Sequence, residues 1–157
     1  MKWEGHSKKF YLEERRIFKR SFSLYASKVQ AHRIAELLRS AYDLNVIIEF
    51  TRRNTCPKFR WSKVKGERII LPLPQGWIPL GAILHEFAHA LEYKKFRKTK
   101  HRARLMKFTE KLNVHAASLD WFGLKSQPVA QLEITTKASV SEQMIELLKG
   151  DNNEKRQ

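Results

Sequence analysis

The sequence predicts an α+β domain built from N-terminal helices, a small three-stranded β-sheet, two helices that follow and pack against the sheet, and a helical C-terminal extension. Three observations support this arrangement: apolar residues recur at helical spacing early in the chain, three short strand-like segments follow, and helical spacing resumes from residue 78. At 157 residues with 42% hydrophobic content, the chain suits one domain with a substantial core. We expect that domain to cover residues 1–150 and a disordered tail to cover 151–157.

The N-terminal part of the chain predicts two helices. Residues 1–9 are basic and without a clear pattern, so we expect a loose leader there. Residues 10–43 have helical spacing, which serine-rich residues 21–27 interrupt. Ser27 and Gln30 have the spacing of a capping box, in which each side chain bonds the backbone N–H of the other residue. The second helix is therefore expected to begin just after Ser27.

Three short segments predict the strands of the sheet. Residues 45–51 are rich in β-branched side chains, and residues 58–62 alternate basic with aromatic side chains, as a half-exposed strand does. Residues 68–71 form the third predicted strand, which lies between a turn at Gly66 and the prolines that follow.

A predicted helix over residues 78–96 carries the central motif, His-Glu-Phe-Ala-His at 85–89, which has the His-Glu-x-x-His pattern of zinc-dependent hydrolases. Histidines four residues apart project from the same face of a helix, so His85 and His89 can bind one metal ion. Glu86 lies about 100° further round the helix, where its carboxylate can meet a metal-bound water instead of the metal. Apolar residues occupy the opposite face, and Pro79 suits the first turn because its missing N–H is no loss there.

A catalytic zinc ion takes three protein ligands and keeps one position open for water. The candidates for a third ligand after His89 are Glu92, His101, Glu110 and His115. Glu92 shares the metal face but lies about 7.5 Å along the helix axis from the midpoint of the two histidines, so it is better placed to support a ligand. Glu110 has a spacing like that of thermolysin-type enzymes, and His115 requires the chain to fold back.

Two more helices are predicted after the motif helix. Leu105, Phe108 and Leu112 define the apolar face of the first. Residues 114–127 contain aromatic side chains and are expected to be irregular. Ser139 and Glu142 predict a capped last helix, which ends at Gly150.

The net charge of +15 and the pI near 10.2 predict polyanionic partners, with nucleic acid first and anionic membrane second. No apolar run approaches the ~20 residues of a membrane span, and the first residues lack the apolar region of a secretory signal. Of the two kinds of polyanion we therefore expect nucleic acid as the partner and no membrane. Cys56 is the only cysteine, which excludes an internal disulfide and favours a reducing, cytoplasmic location. The candidate nucleic-acid contacts cluster in one segment: Lys94, Lys95, Arg97, Lys98, Lys100, Arg102 and Arg104.

Residues 85–108, HEFAHALEYKKFRKTKH followed by RARLMKF, resemble the SprT-like metallopeptidase domain. In that family the motif helix ends in a basic turn, and a histidine that opens the next helix supplies the third ligand. The resemblance covers about 45–113 and implies a minimal zincin-like core, with zinc on His85, His89 and His101 and with Glu86 as catalytic acid/base. The family includes proteases that degrade proteins crosslinked to DNA. This chain has Arg102 where members usually carry glycine, and it lacks their C-terminal cysteine zinc ribbon.

These features together predict a zinc-dependent metalloendopeptidase that acts on proteins at or near nucleic acid, with single- or double-stranded DNA bound through the basic clusters. Zinc would lower the pKa of a bound water to about 7, and Glu86 would take the proton and pass it to the leaving amine. An extended substrate is expected to add to an exposed sheet edge, with residues 68–71 as the candidate strand. Two alternatives are a nucleic-acid-binding module with a structural zinc and a regulator-type metalloprotease that cleaves one specific repressor.

Overall fold

The computed structural model describes residues 5–126, in which three helices and one short strand are followed by four consecutive strands and then by two longer helices. The helices are α1 (Gly5–Ile17), α2 (Lys19–Ser23), α3 (Lys28–Ala41), α4 (Leu80–Phe96) and α5 (Ala103–Ser118), followed by a 3₁₀ helix at Asp120–Gly123. The strands are β1 (Tyr25–Ser27), β2 (Val46–Thr51), β3 (Lys58–Ser62), β4 (Gly66–Pro72) and β5 (Trp77–Pro79). The predicted α+β class is confirmed. These elements belong to one compact unit, residues 1–125.

The strands form two separate sheets. The three-stranded sheet has the order β2–β4–β3, in which β4 is parallel to β2 and antiparallel to β3. The second sheet is a short antiparallel pair of β1 and β5, in which Tyr25 lies opposite Pro79. The proposal that residues 68–71 offer an exposed edge to a substrate is therefore wrong, because these residues lie in β4 and both edges of β4 are already paired. The edge strands of this sheet are β2 and β3.

Helix α4 lies at the centre of the core. Every residue from Leu80 to Glu92 is buried except Ala82, which is half-buried. Both the apolar face and the face that carries the motif are therefore covered. Its apolar side packs with fully buried side chains from the neighbouring elements: Leu38 of α3, Ile69 and Leu71 of β4, and Leu105 and Leu112 of α5. The polar face that the sequence predicts opposite the apolar one is thus buried as well, and buried polar groups require partners.

Helix α2 crosses α4 at a close contact between Phe22 and Gly81. A Cβ atom at position 81 would lie 2.6 Å from the atoms of the Phe22 ring. Glycine is therefore needed at this position for steric reasons, because the ring occupies the space that any side chain would take.

The boundaries of several elements differ from those expected. Helix α1 already begins at Gly5, so the prediction of a loose leader is wrong for residues 5–9. Pro79 is the N-cap of α4 and the last residue of β5, and the helix begins at Leu80. Helix α5 continues to Ser118 because Ala116 extends its buried face, so residues 114–118 are helical. The capping box of Ser27 and Gln30 is confirmed. The expected interruption at 21–27 is confirmed only for residues 24–27, because residues 21–23 belong to α2, which a break at Phe18 separates from α1.

The predicted last helix and the predicted tail lie outside the described residues. Among the helices that are described, none combines the length and the apolar character that crossing a membrane requires.

Candidate metal centre

Three histidine rings converge on one point at the surface of α4. The Nε2 atom of His85 lies 3.1 Å from that of His89 and 3.3 Å from that of His101, and the remaining Nε2 pair is 3.2 Å apart. A tetrahedral zinc ion with Zn–N bonds of about 2.0–2.1 Å separates its nitrogen ligands by about 3.3–3.4 Å. The three side chains therefore lie close enough to hold one metal ion.

The third histidine reaches this point because the chain reverses after α4. Arg97 ends the helix in the left-handed conformation, with φ 56° and ψ 23°, and its N–H donates to the carbonyl of Tyr93 at 2.7 Å. The loop that follows brings His101 over the motif. Arg102, which stands where the resembling family usually has glycine, has φ −135° and ψ 174°. Since any residue can adopt that extended backbone, glycine is not required there.

The other two distant candidates for the third ligand lie away from the centre. Glu110 is exposed on α5. Nδ1 of His115 lies 2.8 Å from the hydroxyl of Tyr42, where the bond ties α5 to the end of α3. Of the candidates named from the sequence, His101 is thus the one that the fold places beside His85 and His89.

A buried carboxylate from α1 supports His85. Both carboxylate oxygens of Glu14 lie 2.8 Å from Nδ1 of His85, and neither side chain is more than 2% exposed. An ionised carboxylate only accepts hydrogen bonds, so Nδ1 of His85 carries a proton and donates it to Glu14, and Nε2 is the nitrogen that faces the other histidines. Glu14 was not among the residues predicted from the sequence, because no motif links it to the histidines. Glu14 lies four residues after the apolar Phe10 and therefore on the same face of the helix, which was the available signal that Glu14 is buried.

The histidines differ in their affinity for protons. Burial opposes the charged form of His85, but the hydrogen bond and the negative charge of Glu14 outweigh it and raise the pKa. Burial, and after it the positive charge of His85, lowers the pKa of His89 to about 2 and that of His101 to about 4. At neutral pH His89 and His101 are therefore neutral, which is the form of imidazole that binds a metal.

Glu86 lies next to the histidines and is almost fully buried. Its pKa is raised to about 7, chiefly by burial. The positive charge of His85 opposes this rise and the negative charge of Glu14 adds to it. A hydrogen bond from the backbone N–H of Phe59 also lowers the pKa. A carboxyl group with this pKa can take up and release a proton near neutral pH, as a general acid and base must.

A cavity of about 250 Å³ opens over the centre. It is lined by Glu86, His89, His101 and Thr99, by Tyr11 of α1, and by Lys58 and Phe59 of the edge strand β3. The ring of Tyr11 covers two of the histidines, with its centroid 4.8 Å from that of His85 and 5.0 Å from that of His101. Burial, followed by the negative charges of Glu86 and Glu14, raises the pKa of the Tyr11 phenol, so its hydroxyl stays protonated. The centre is thus open on the side of β3 and covered by α1.

The seven basic residues of 94–104 have different environments. Two of them donate side-chain hydrogen bonds within the fold, and Lys95 and Arg97 lie over the rings of Phe96 and Tyr93. Lys94 donates from Nζ to the backbone oxygens of Tyr42 and Asp43, at 3.0 and 2.7 Å. Arg104 donates from Nε to the buried carboxylate of Glu92 at 2.9 Å. The other five side chains are exposed: Lys95, Arg97, Lys98, Lys100 and Arg102.

Comparison of the chain with protein-family models, with curated proteins and with solved structures finds no match in any of the three. The resemblance to the SprT-like domain therefore stays a prediction from the residues around the motif helix.

Proposed function

We propose that the protein is a zinc-dependent metallopeptidase that acts on proteins at or near nucleic acid. The observation that carries the proposal is the triangle of Nε2 atoms, 3.1–3.3 Å on a side, with the buried Glu86 beside it and a cavity in front of it. Three histidine ligands with one open position and an adjacent carboxylate are the parts that metal-assisted hydrolysis needs.

Zinc is the metal that this donor set favours. His85, His89 and His101 would hold it through three imidazole nitrogens, which suit zinc better than the oxygen ligands that magnesium and calcium require. When bound, zinc would polarise a substrate carbonyl and acidify a water. Glu86 would accept the proton of that water and then donate it to the leaving amine, since its carboxylate lies beside the histidines and lines the cavity.

The position of β3 supports a peptide as the substrate. This strand pairs with β4 along one edge only, and its residue Phe59 both lines the cavity and donates its backbone N–H to Glu86. An extended peptide that adds to the other edge would pass directly in front of the histidines. We therefore assign to β3 the substrate-binding role that the sequence analysis gave to residues 68–71.

A nucleic-acid partner is supported by charge. The five exposed basic residues of the 94–104 segment flank His101, and Lys100 lines the cavity. A polyanion bound there would lie beside the active site, where it would concentrate the protease on proteins bound to the same nucleic acid. Such a partner would favour a location with DNA inside the cell.

The decisive experiment uses zinc-loaded protein with two substrates, a basic DNA-binding protein and casein, each with and without single-stranded and double-stranded DNA. We expect cleavage that DNA enhances for the DNA-binding substrate. Glu86→Gln should bind zinc as wild type does and should cleave at least about 10²-fold more slowly. Cleavage at the wild-type rate by purified Glu86→Gln protein would refute the assignment of Glu86.

The same experiment, followed by incubation with a host lysate, separates the two alternatives. A nucleic-acid-binding module with a structural zinc would bind DNA and cleave neither substrate. A regulator-type protease would also leave both intact, but it would cleave its one repressor when incubated with a lysate of its own host.

A further inference from the structure

The second ring nitrogen of His89 begins a chain of hydrogen bonds that leads away from the metal centre. Nδ1 of His89 lies 2.6 Å from Oγ1 of Thr99. Oγ1 of Thr99 donates to Oε2 of Glu92 at 2.8 Å, and Nε of Arg104 donates to Oε1 of the same carboxylate at 2.9 Å. Thr99, Glu92 and Arg104 are called the relay below.

The directions of these bonds determine which nitrogen of His89 carries the proton. A threonine hydroxyl has a single proton, and here that proton points to Glu92. The hydroxyl can therefore only accept from His89, so the proton between them lies on Nδ1. Nε2 is left with its lone pair directed at the Nε2 atoms of His85 and His101.

The outer end of the relay is held in place by burial and charge. Glu92 is 1% exposed, and a carboxylate at such a position is costly unless a cation and hydrogen bonds compensate it. Arg104 supplies the cation, and its guanidinium lies 3.7 Å from the centre of the Phe96 ring, which restricts its movement. The direction of the Thr99 bond therefore depends on Arg104.

We propose that Thr99, Glu92 and Arg104 are positioning residues for the metal centre, which fix the ring orientation and the tautomer of His89. The inference deepens the proposed function, since it rests on His89 as a metal ligand, but it requires neither peptidase activity nor nucleic-acid binding. It gives Arg104, which the sequence groups with the nucleic-acid contacts, a role inside the metal centre instead.

The first test measures zinc affinity by competition with a chelator of known affinity. Loss of a group that orients a metal-binding histidine typically lowers affinity about 10–100-fold, and we expect this for Thr99→Val and for Arg104→Gln. Thr99→Ser keeps the hydroxyl and should stay within about 3-fold of wild type. The matched control is Lys107→Gln, which removes the same charge from an exposed position on the same helix and should leave affinity unchanged. Equal affinities for wild type and Thr99→Val would overturn the proposal.

The second test needs no variant and no metal. Nitrogen-15 NMR of the histidine rings in the metal-free wild-type protein should show His89 with its proton on Nδ1 and none on Nε2. A proton on Nε2 of His89 would overturn the relay even if the protein binds zinc tightly. If the protein binds no zinc, the proposed function fails, and the tautomer of His89 still decides the relay separately.

Discussion

Both carboxylate oxygens of Glu14 lie 2.8 Å from Nδ1 of His85, although the two residues are 71 positions apart in the chain. Helix α1 is therefore part of the metal centre: it supplies the carboxylate that orients one histidine and the Tyr11 ring that covers two of them. The relay accepts a hydrogen bond from Nδ1 of His89, as Glu14 does from Nδ1 of His85. Two of the three proposed ligands thus have their second nitrogen held by groups from different parts of the fold.

We predict that Glu14→Gln lowers zinc affinity about 10–100-fold, because the amide keeps the size of the side chain but loses the charge that holds the proton on Nδ1. Glu13→Gln is the matched control. Glu13 is the neighbouring residue on the same helix, but it is exposed and pairs with Arg16. Chelator competition measures both variants, and equal losses of affinity would show that the effect comes from α1 as a whole and not from the Glu14 contact.

Zinc should stabilise the folded protein through His101 as its third ligand, and not through Glu110 or His115. A ligand at 1,000 times its dissociation constant stabilises the folded state by about 4 kcal/mol, which raises the thermal midpoint. We expect His101→Ala to lose most of this rise and Glu110→Ala to keep it. His115→Ala should keep the rise but start about 1 kcal/mol less stable, because the bond to Tyr42 is lost. Loss of the zinc effect in Glu110→Ala alone would instead indicate a thermolysin-like site.

Gly81→Ala should destabilise the fold by about 1–3 kcal/mol, because the added methyl group would meet the Phe22 ring at 2.6 Å and the preference of helices for alanine is too small to compensate. Urea denaturation measures the change. In a Phe22→Leu background the smaller side chain leaves more space, and there the same substitution should cost much less. A midpoint that rises on Gly81→Ala in the wild-type background would contradict the close contact.

Replacing Lys95, Arg97, Lys98 and Lys100 together by Gln should weaken DNA binding and reduce the slope of log affinity against log salt. For a single-stranded oligonucleotide the slope should decrease by up to about 3, since each neutralised phosphate contributes about 0.7. Zinc content should not change, because none of the four is a proposed ligand. Arg104 is left intact because of its bond to Glu92.

The control for this variant replaces Arg52, Arg53, Lys63 and Lys65, four exposed basic residues on the loops beside β3, by Gln. Both variants lose the same charge. Equal slopes for wild type and the first variant would mean that the segment is only a solvated surface, and the basic N-terminal helices would become the better candidate. Equal reductions in both variants would mean that only net charge matters.

Local sequence was enough for features whose geometry depends on nearby residues. The spacing of His85 and His89 places both rings on one side of α4 because four residues make about one helical turn. Ser27 and Gln30 form their capping box for the same reason. The α+β class followed from periodicities that each segment carries alone.

The remaining features depend on contacts between distant segments. Residues 68–71 are recognisable as a strand, but their place at the middle of the sheet depends on which strands pair with β4, and strand order has no local signature. Glu14 has a neighbour of the same type at Glu13, and only the packing of α1 on α4 makes one of them buried and the other exposed. Arg104 likewise looks like its basic neighbours in sequence, yet the turn of α5 on which it lies directs it at the buried carboxylate of Glu92, because a charge inside a low-dielectric core needs an opposite charge beside it.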